Sequence, residues 1–266
     1  MADTTFIDPA WTRIFAQAGF ESFDDWWRTE QNLVEVGNFR GSDNEVSWSH
    51  VSRIELSDGQ VVYLKRQQNH YPNNIPLKLL RIPTFEIEWK NYQAHRNAGI
   101  PTMKIVYFAS RKHEGTRQCI VVSEELPGMN SLQEIMGAFN EHGWPPRAQR
   151  LAILGAIARV IRKMHDSGLL HNALYGRHIY LNIPIVDGVA QIPAELDVSL
   201  IDLERTKFPR PNSPRFIKHD LEKMYRRIPW PARECLWFLK RYLGVQRLTP
   251  EAKAIAGRIA PSRKSR

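Results

Sequence analysis

Apolar positions alternate early in the chain and recur every third or fourth residue later, so sheet is expected first and helix afterwards. Asn32–Phe39, Val46–Leu56 and Gln60–Lys65 read as strands, with Ser57-Asp58-Gly59 as the hairpin turn between the last two. Thr84–Asn97 then places Phe85, Trp89 and Tyr92 on one helical face, and Gly99-Ile100-Pro101 ends that helix. Two more strands, Lys104–Ser110 and Gln118–Glu124, lead into a short polar exit ending in Pro127-Gly128.

Beyond that exit the period is helical. Ser131 and Glu134 make a capping-box pattern, and Arg147–Ser167 is the strongest helix, striped by Leu151, Leu154, Ile157, Ala158, Ile161 and Met164. Gly168 stops it. A short loop, a strand, a polar hairpin-like insert and the β-rich run Val198–Ile201 follow. Pro209, Pro211 and Pro214 hold an irregular segment before two last helices, opening near His219-Asp220-Leu221 and at Trp230-Pro231. At the other end, residues 1–31 read as a helical extension whose Phe20, Phe23, Trp26 and Trp27 form an apolar face for packing on the sheet. The expected organisation is α+β: an extension over residues 1–31, a sheet lobe over 32–126 carrying one main helix, and a mostly helical lobe over 127–266.

The length of 266 residues suits two lobes. Lysine and arginine exceed aspartate and glutamate by 37 − 28 = 9, which favours anionic partners. Part of the surplus lies in Arg205, Lys207, Arg210, Arg215 and Lys218 and in the basic tail. Without zinc-finger spacing or aromatics interleaved with basic residues, specific nucleic-acid binding is not expected. Weak attraction to an anionic membrane surface fits the charge better. Cys119 and Cys235 each sit in an apolar run and read as buried, reduced thiols. No apolar run reaches the roughly 18 residues of a membrane span, and no secretory signal pattern is seen, so a cytoplasmic protein is expected.

Candidate chemistry is spread along this frame. Lys65 ends the run Val61-Val62-Tyr63-Leu64, and a lysine after a buried strand either reaches a carboxylate or is a solvated strand end. Glu86 and Glu88 on the following helix compete for it, with Glu88 favoured. The segment holding Gly37 and Gly41 is glycine-poor for a phosphate cradle and equally compatible with an ordinary loop. Glu124, Glu125 and Leu126 sit where an interlobe hinge would offer backbone groups to an adenine edge. Past the long helix, Leu169-Leu170-His171, then His178, then Leu200-Ile201-Asp202 follow the layout His-Arg-Asp…Asn…Asp-Phe-Gly of a kinase catalytic loop and metal aspartate. His178 falls where the metal-binding asparagine is expected, and Asp202 where the metal aspartate is expected. The position of the catalytic aspartate is Ala173.

Taken together, these residues resemble the lipopolysaccharide kinase family (the WaaP/InaA group), a bacterial branch of the protein kinase-like fold, and its InaA-like subgroup most. The resemblance spans about Leu33 to Tyr225 and rests on Val62–Gln67, Glu88-Trp89, Gly99–Pro101, His171–Tyr175 with His178, Ser199–Glu204 and Asp220-Leu221. It implies a bilobal fold using ATP and Mg²⁺, with Lys65 on nucleotide phosphates and paired to Glu88, Asp202 on Mg²⁺, and His178 at a second metal or phosphate. The implied acceptor is a sugar of the lipopolysaccharide core or a related anionic envelope glycan. Ala173 departs from the pattern. Replacement bases would be His171, His178 or Asp166, and the other implication is a pseudokinase acting as a regulatory or scaffolding module.

Overall fold

A computed structural model of the chain describes residues 3–29, 34–35, 47–72, 81–208, 214–225, 230–247, 249–250 and 253. The glycine-poor loop with Gly37 and Gly41, Arg210 and the basic tail lie outside these residues, as do the side chains of Pro214–Phe216. The chain divides into two units, Met1–Gln93 with Met103–Leu126, and Ala94–Thr102 with Pro127–Arg266.

The first unit is built on an antiparallel sheet. Its strands are β1 (Thr4–Ile7), β2 (Val34–Glu35), β3 (Trp48–Glu55), β4 (Val61–Gln68), β5 (Ile105–His113) and β6 (Thr116–Glu124), in the order β1-β5-β6-β4-β3-β2. Alternation along β4 sends Val62 and Leu64 to one face and Lys65 and Gln67 to the other. The first face is covered by α1 (Thr12–Gln17), α2 (Phe23–Arg28) and the residues flanking them, from which Trp11, Phe15, Phe20 and Trp26 join Ile54, Val62, Leu64, Ile120 and Val122 in one buried cluster. Trp26 stacks on Phe20 at 3.9 Å and meets Phe15 edge-on at 4.9 Å. On the second face lies α3 (Thr84–Asn97), with Trp89 stacked on Phe108 at 5.1 Å and Thr84 Oγ1 donating to Gln67 Oε1 at 2.6 Å.

Two expectations need correction here. Residues 1–31 are not a purely helical extension, because Thr4–Ile7 pairs with Tyr107–Ser110 as the edge strand of the sheet. Four residues are too few for a periodic signal, and pairing to β5 decides their conformation. Lys65 does not close its strand either. β4 runs on to Gln68, paired with β3 as far as Trp48 and with β6 as far as Gln118.

The second unit is mostly helical: α4 (Leu132–His142), α5 (Arg147–Asp166), α6 (Pro214–Tyr225) and α7 (Ala232–Leu243). The Ser131–Glu134 capping box forms with both reciprocal hydrogen bonds. The α5 stripe is buried from Ile153 to Met164, although Leu151 is only half-buried. Three short strands, β7 (Asn130–Ser131), β8 (Ile179–Leu181) and β11 (Val198–Leu200), make a small sheet in the order β11-β8-β7. Between β8 and β11 the polar insert is a hairpin of β9 (Ile185–Val186) and β10 (Val189–Ala190), turned by Asp187 and Gly188 at positive φ. The cysteines are unpaired, and burial pushes both thiols up, Cys235 to about 11. Cys119 is buried, but Cys235 is only half-buried, which corrects the expectation for it.

Candidate functional site

In the first unit, the ammonium of Lys65 donates to Glu88 Oε1 at 2.6 Å. The Lys65 side chain is 16% exposed and that of Glu88 only 1%, so the carboxylate is buried and held by a charge-assisted bond. The competitor Glu86 is elsewhere. Residues two apart on a helix differ by roughly 200° in direction. Glu86 accordingly accepts from Ser110 Oγ at 2.5 Å and from Arg117 Nη2 at 2.6 Å.

The exit from β6 is tied down by its side chains. Glu124 Oε1 accepts from Trp11 Nε1 at 2.6 Å and lies 3.2 Å from Lys104 Nζ, which also reaches Asp8 at 3.3 Å. Glu125 faces Arg53 at 3.4 Å. These carboxylates therefore hold the exit segment to the sheet and its N-terminal cover. Any ligand recognition at Glu124, Glu125 and Leu126 would fall to the backbone.

The second unit supplies the loop after α5. Asp220 on α6 accepts the backbone N–H of His171 at 2.8 Å and lies 3.4 Å from His165 Nε2, while His165 Nδ1 meets the Tyr242 hydroxyl at 2.8 Å. One turn further along α6, buried Lys223 donates to the carbonyl of Asn172, which is left-handed at φ 56°. Two consecutive residues of the loop are thus gripped from one helix. His171 is fully buried and its Nε2–H donates to the Ile201 carbonyl at 2.9 Å, so its ring links the loop to the segment before Asp202. Ala173 is 1% exposed. Its carbonyl accepts from the Tyr175 N–H and from His178 Nδ1, both at 2.7 Å. Asp166 pairs with Arg162 at 2.6 Å on the exposed side of α5.

With Nδ1–H committed to Ala173, His178 presents a lone pair at Nε2. Burial holds its pKa down at about 4, so the ring is neutral at pH 7. Asp202 Oδ2 lies 3.2 Å from that Nε2, and Arg177 Nε donates to it at 2.9 Å. Asp202 is left-handed at φ 60°, a conformation aspartate tolerates, and opens a short 3-10 turn over Leu203–Arg205. Its side chain is 34% exposed. A half-exposed carboxylate suits Mg²⁺, which takes one or two carboxylates and fills its remaining positions with phosphate oxygens and water. Among the described residues no three His, Cys, Asp or Glu side chains gather as a metal cluster, so a Mg²⁺ at Asp202 would depend on those outside ligands.

The chain as a whole has counterparts among known proteins. The model of the "Lipopolysaccharide kinase (Kdo/WaaP) family" matches residues 24–242. The chain belongs to this family. It is 30% identical over 217 residues to protein InaA of Escherichia coli strain K12, covering 80% of this chain and 92% of InaA. It is 27% identical over 228 residues to the lipopolysaccharide core heptose(I) kinase WaaP of the same strain, covering 82% of this chain and 84% of WaaP. The WaaP of Pseudomonas aeruginosa PAO1 is 30% identical over 234 residues, at 84% of both chains. A solved structure described as WaaP in complex with acyl carrier protein superposes with a TM-score of 0.62 at 20% identity, covering 97% of this chain and all of that one. The fold is therefore the protein kinase-like α+β fold of the family.

Sequence reasoning did not find the grip of Lys223 on Asn172, the hydrogen bond of Arg177 to His178, or the His165–Asp220 contact. Asp220 was visible only as a matching position near a helix start. The Lys223–Asn172 and His165–Asp220 contacts join residues about 50 positions apart, which leave no local periodicity to read.

Proposed function

We propose that the protein is an ATP- and Mg²⁺-dependent phosphotransferase acting on a sugar hydroxyl of the lipopolysaccharide core or a related envelope glycan. The observation that carries this reading is the membership of the chain in a family of lipopolysaccharide kinases together with the buried Lys65–Glu88 pair. In this reading Lys65 meets nucleotide phosphates and Glu88 fixes the position of its ammonium. Asp202 holds the divalent ion, which neutralises charge on the transferring phosphoryl group. The backbone of Glu124–Leu126 serves the adenine.

His171 donates to Ile201, Asp166 pairs with Arg162 and His178 is held between Ala173 and Arg177, so this reading assigns none of the three as the base. Phosphoryl transfer rests chiefly on positioning and charge neutralisation, so lack of the loop aspartate slows the reaction without removing its basis. A positioned base contributes about 10²–10⁴-fold.

The second reading is a nucleotide-binding pseudokinase, favoured by the buried methyl of Ala173 where an acceptor-facing carboxylate would stand. Transfer of labelled γ-phosphate from ATP to purified lipopolysaccharide core decides between them. Transfer that disappears in Asp202→Asn supports the kinase. Mg·ATP binding without transfer to any core acceptor supports the pseudokinase. The basic surplus of +9 supports an anionic acceptor and weak attachment to the cytoplasmic face of the inner membrane. Among the described residues, no helix is long and apolar enough to cross a membrane.

A further inference from the structure

Arg177 is the cation nearest the Asp202–His178 pair for which a contact is seen. Its Nε–H occupies the His178 Nε2 lone pair at 2.9 Å, and its guanidinium carbon lies 5.3 Å from the centre of the Tyr175 ring. The side chain is thereby fixed at both its Nε edge and its face, although the residue is exposed. Among the described residues, no hydrogen bond to protein is made by its two terminal Nη groups. His178 Nε2 is meanwhile the nitrogen that would bind a second metal ion. An imidazole is a poor ligand for Mg²⁺, which prefers oxygen, and this one is already accepting a hydrogen bond from a cation. The site thus brings together, at one nitrogen of a neutral imidazole, a half-exposed carboxylate for a metal and a guanidinium with a free fork of donors.

We infer that Arg177 is a phosphate-binding residue built into the loop, standing in place of a second metal ion, with His178 as its anchor rather than a metal ligand. The inference rests on the nucleotide reading proposed above. One divalent ion on Asp202 and the Arg177 fork would share the charge of the nucleotide phosphates. Guanidinium suits this work because it stays charged and donates two parallel hydrogen bonds to neighbouring oxygens. Anchoring through Nε leaves both Nη groups available, and stacking on Tyr175 reduces the entropy lost on binding.

The test uses Mn²⁺ in place of Mg²⁺ with a non-hydrolysable ATP analogue and the full chain. Electron spin-echo measurements on the bound Mn²⁺ report any directly coordinated imidazole nitrogen. The expected result is one Mn²⁺ per bound analogue with no imidazole nitrogen coupling. Arg177→Ala should fold with unchanged thermal stability without ligand, weaken analogue binding about tenfold or more, and let nitrogen coupling appear as His178 becomes free. Arg177→Lys, which keeps the charge without the fork, should recover only part of the affinity. Imidazole coupling in the parent protein, or analogue affinity unchanged in Arg177→Ala, overturns the role of Arg177 and leaves the nucleotide reading standing. Absence of any Mn²⁺–analogue binding in the parent overturns both.

Discussion

The ammonium of Lys65 lies 2.6 Å from Glu88 Oε1, and that carboxylate has 1% side-chain exposure. A strand and a helix are therefore joined by a charge pair of which one member is out of water. Removing one partner of such a pair strands the other charge, whereas removing both does not. Lys65→Met should lower unfolding free energy by about 3 kcal/mol, and Lys65→Met with Glu88→Leu should recover most of that loss. Urea unfolding of the parent and both variants measures it. Nucleotide affinity should remain lost in the double variant, which separates the phosphate-binding role of Lys65 from its part in stability.

Much of this frame was legible beforehand because it is local. Thr84–Asn97 carries its apolar residues at helical spacing and folds over those residues, and the Ser131–Glu134 box forms as its spacing required. Glu86 and Glu88 both stood within reach of Lys65 on the sequence, with Glu88 favoured, and the fold pairs Glu88 with Lys65 while Glu86 turns to Ser110 and Arg117. What was not legible depends on distant pairing. β1 is strand only because β5 presents an edge, and the grip of Asp220 and Lys223 on the loop joins residues with no shared local pattern. Burial at Ala173 was likewise invisible. The loop motif defines which residue type stands there but not that its methyl group is shielded.

The second unit has its own buried ion pair, remote in role from the loop. Arg150 on α5 places Nη2 2.6 Å and Nε 3.0 Å from Glu234 Oε1 on α7, and the Glu234 side chain is 3% exposed. Arg150→Met should leave that carboxylate unpaired and cost about 3 kcal/mol. Glu234→Gln, retaining the hydrogen-bonding shape, should cost less. Calorimetric melting checks the order. Phosphoryl transfer per folded molecule should be unchanged in both, since neither residue touches the loop.

Position 173 tests what the loop can accept. Its present side chain is 1% exposed, so a carboxylate introduced there meets desolvation before it meets an acceptor. Ala173→Asp should lose about 2 kcal/mol of stability at pH 7. Burial raises the folded-state pKa of such a group above its unfolded value of about 3.9. The unfolded state then ionises more readily, so the penalty is full above the raised folded-state pKa, fades as pH falls from there toward the unfolded value, and is gone below it. Ala173→Asn, uncharged at every pH, should show no such dependence. Stability of both variants relative to the parent, followed from pH 7 down to about 3.5, distinguishes burial of charge from simple crowding.

Asp202 is the residue on which metal dependence should turn. Asparagine tolerates the left-handed backbone at this position as aspartate does, so Asp202→Asn removes the charge without the strain that alanine would add. At 34% side-chain exposure the carboxylate contributes little to the core, and the unliganded variant should melt near the parent temperature. The difference should emerge with ligand. A nucleotide at 100 times its dissociation constant stabilises the fold by about 2.7 kcal/mol. The parent should show that increment with Mg·ATP and a smaller one with ATP and a chelator, because the phosphates then carry unneutralised charge. In Asp202→Asn the two increments should be equal, with affinity for Mg·ATP no better than for ATP alone. A variant that keeps the full magnesium-dependent increment would place the metal on other residues and remove Asp202 from the site.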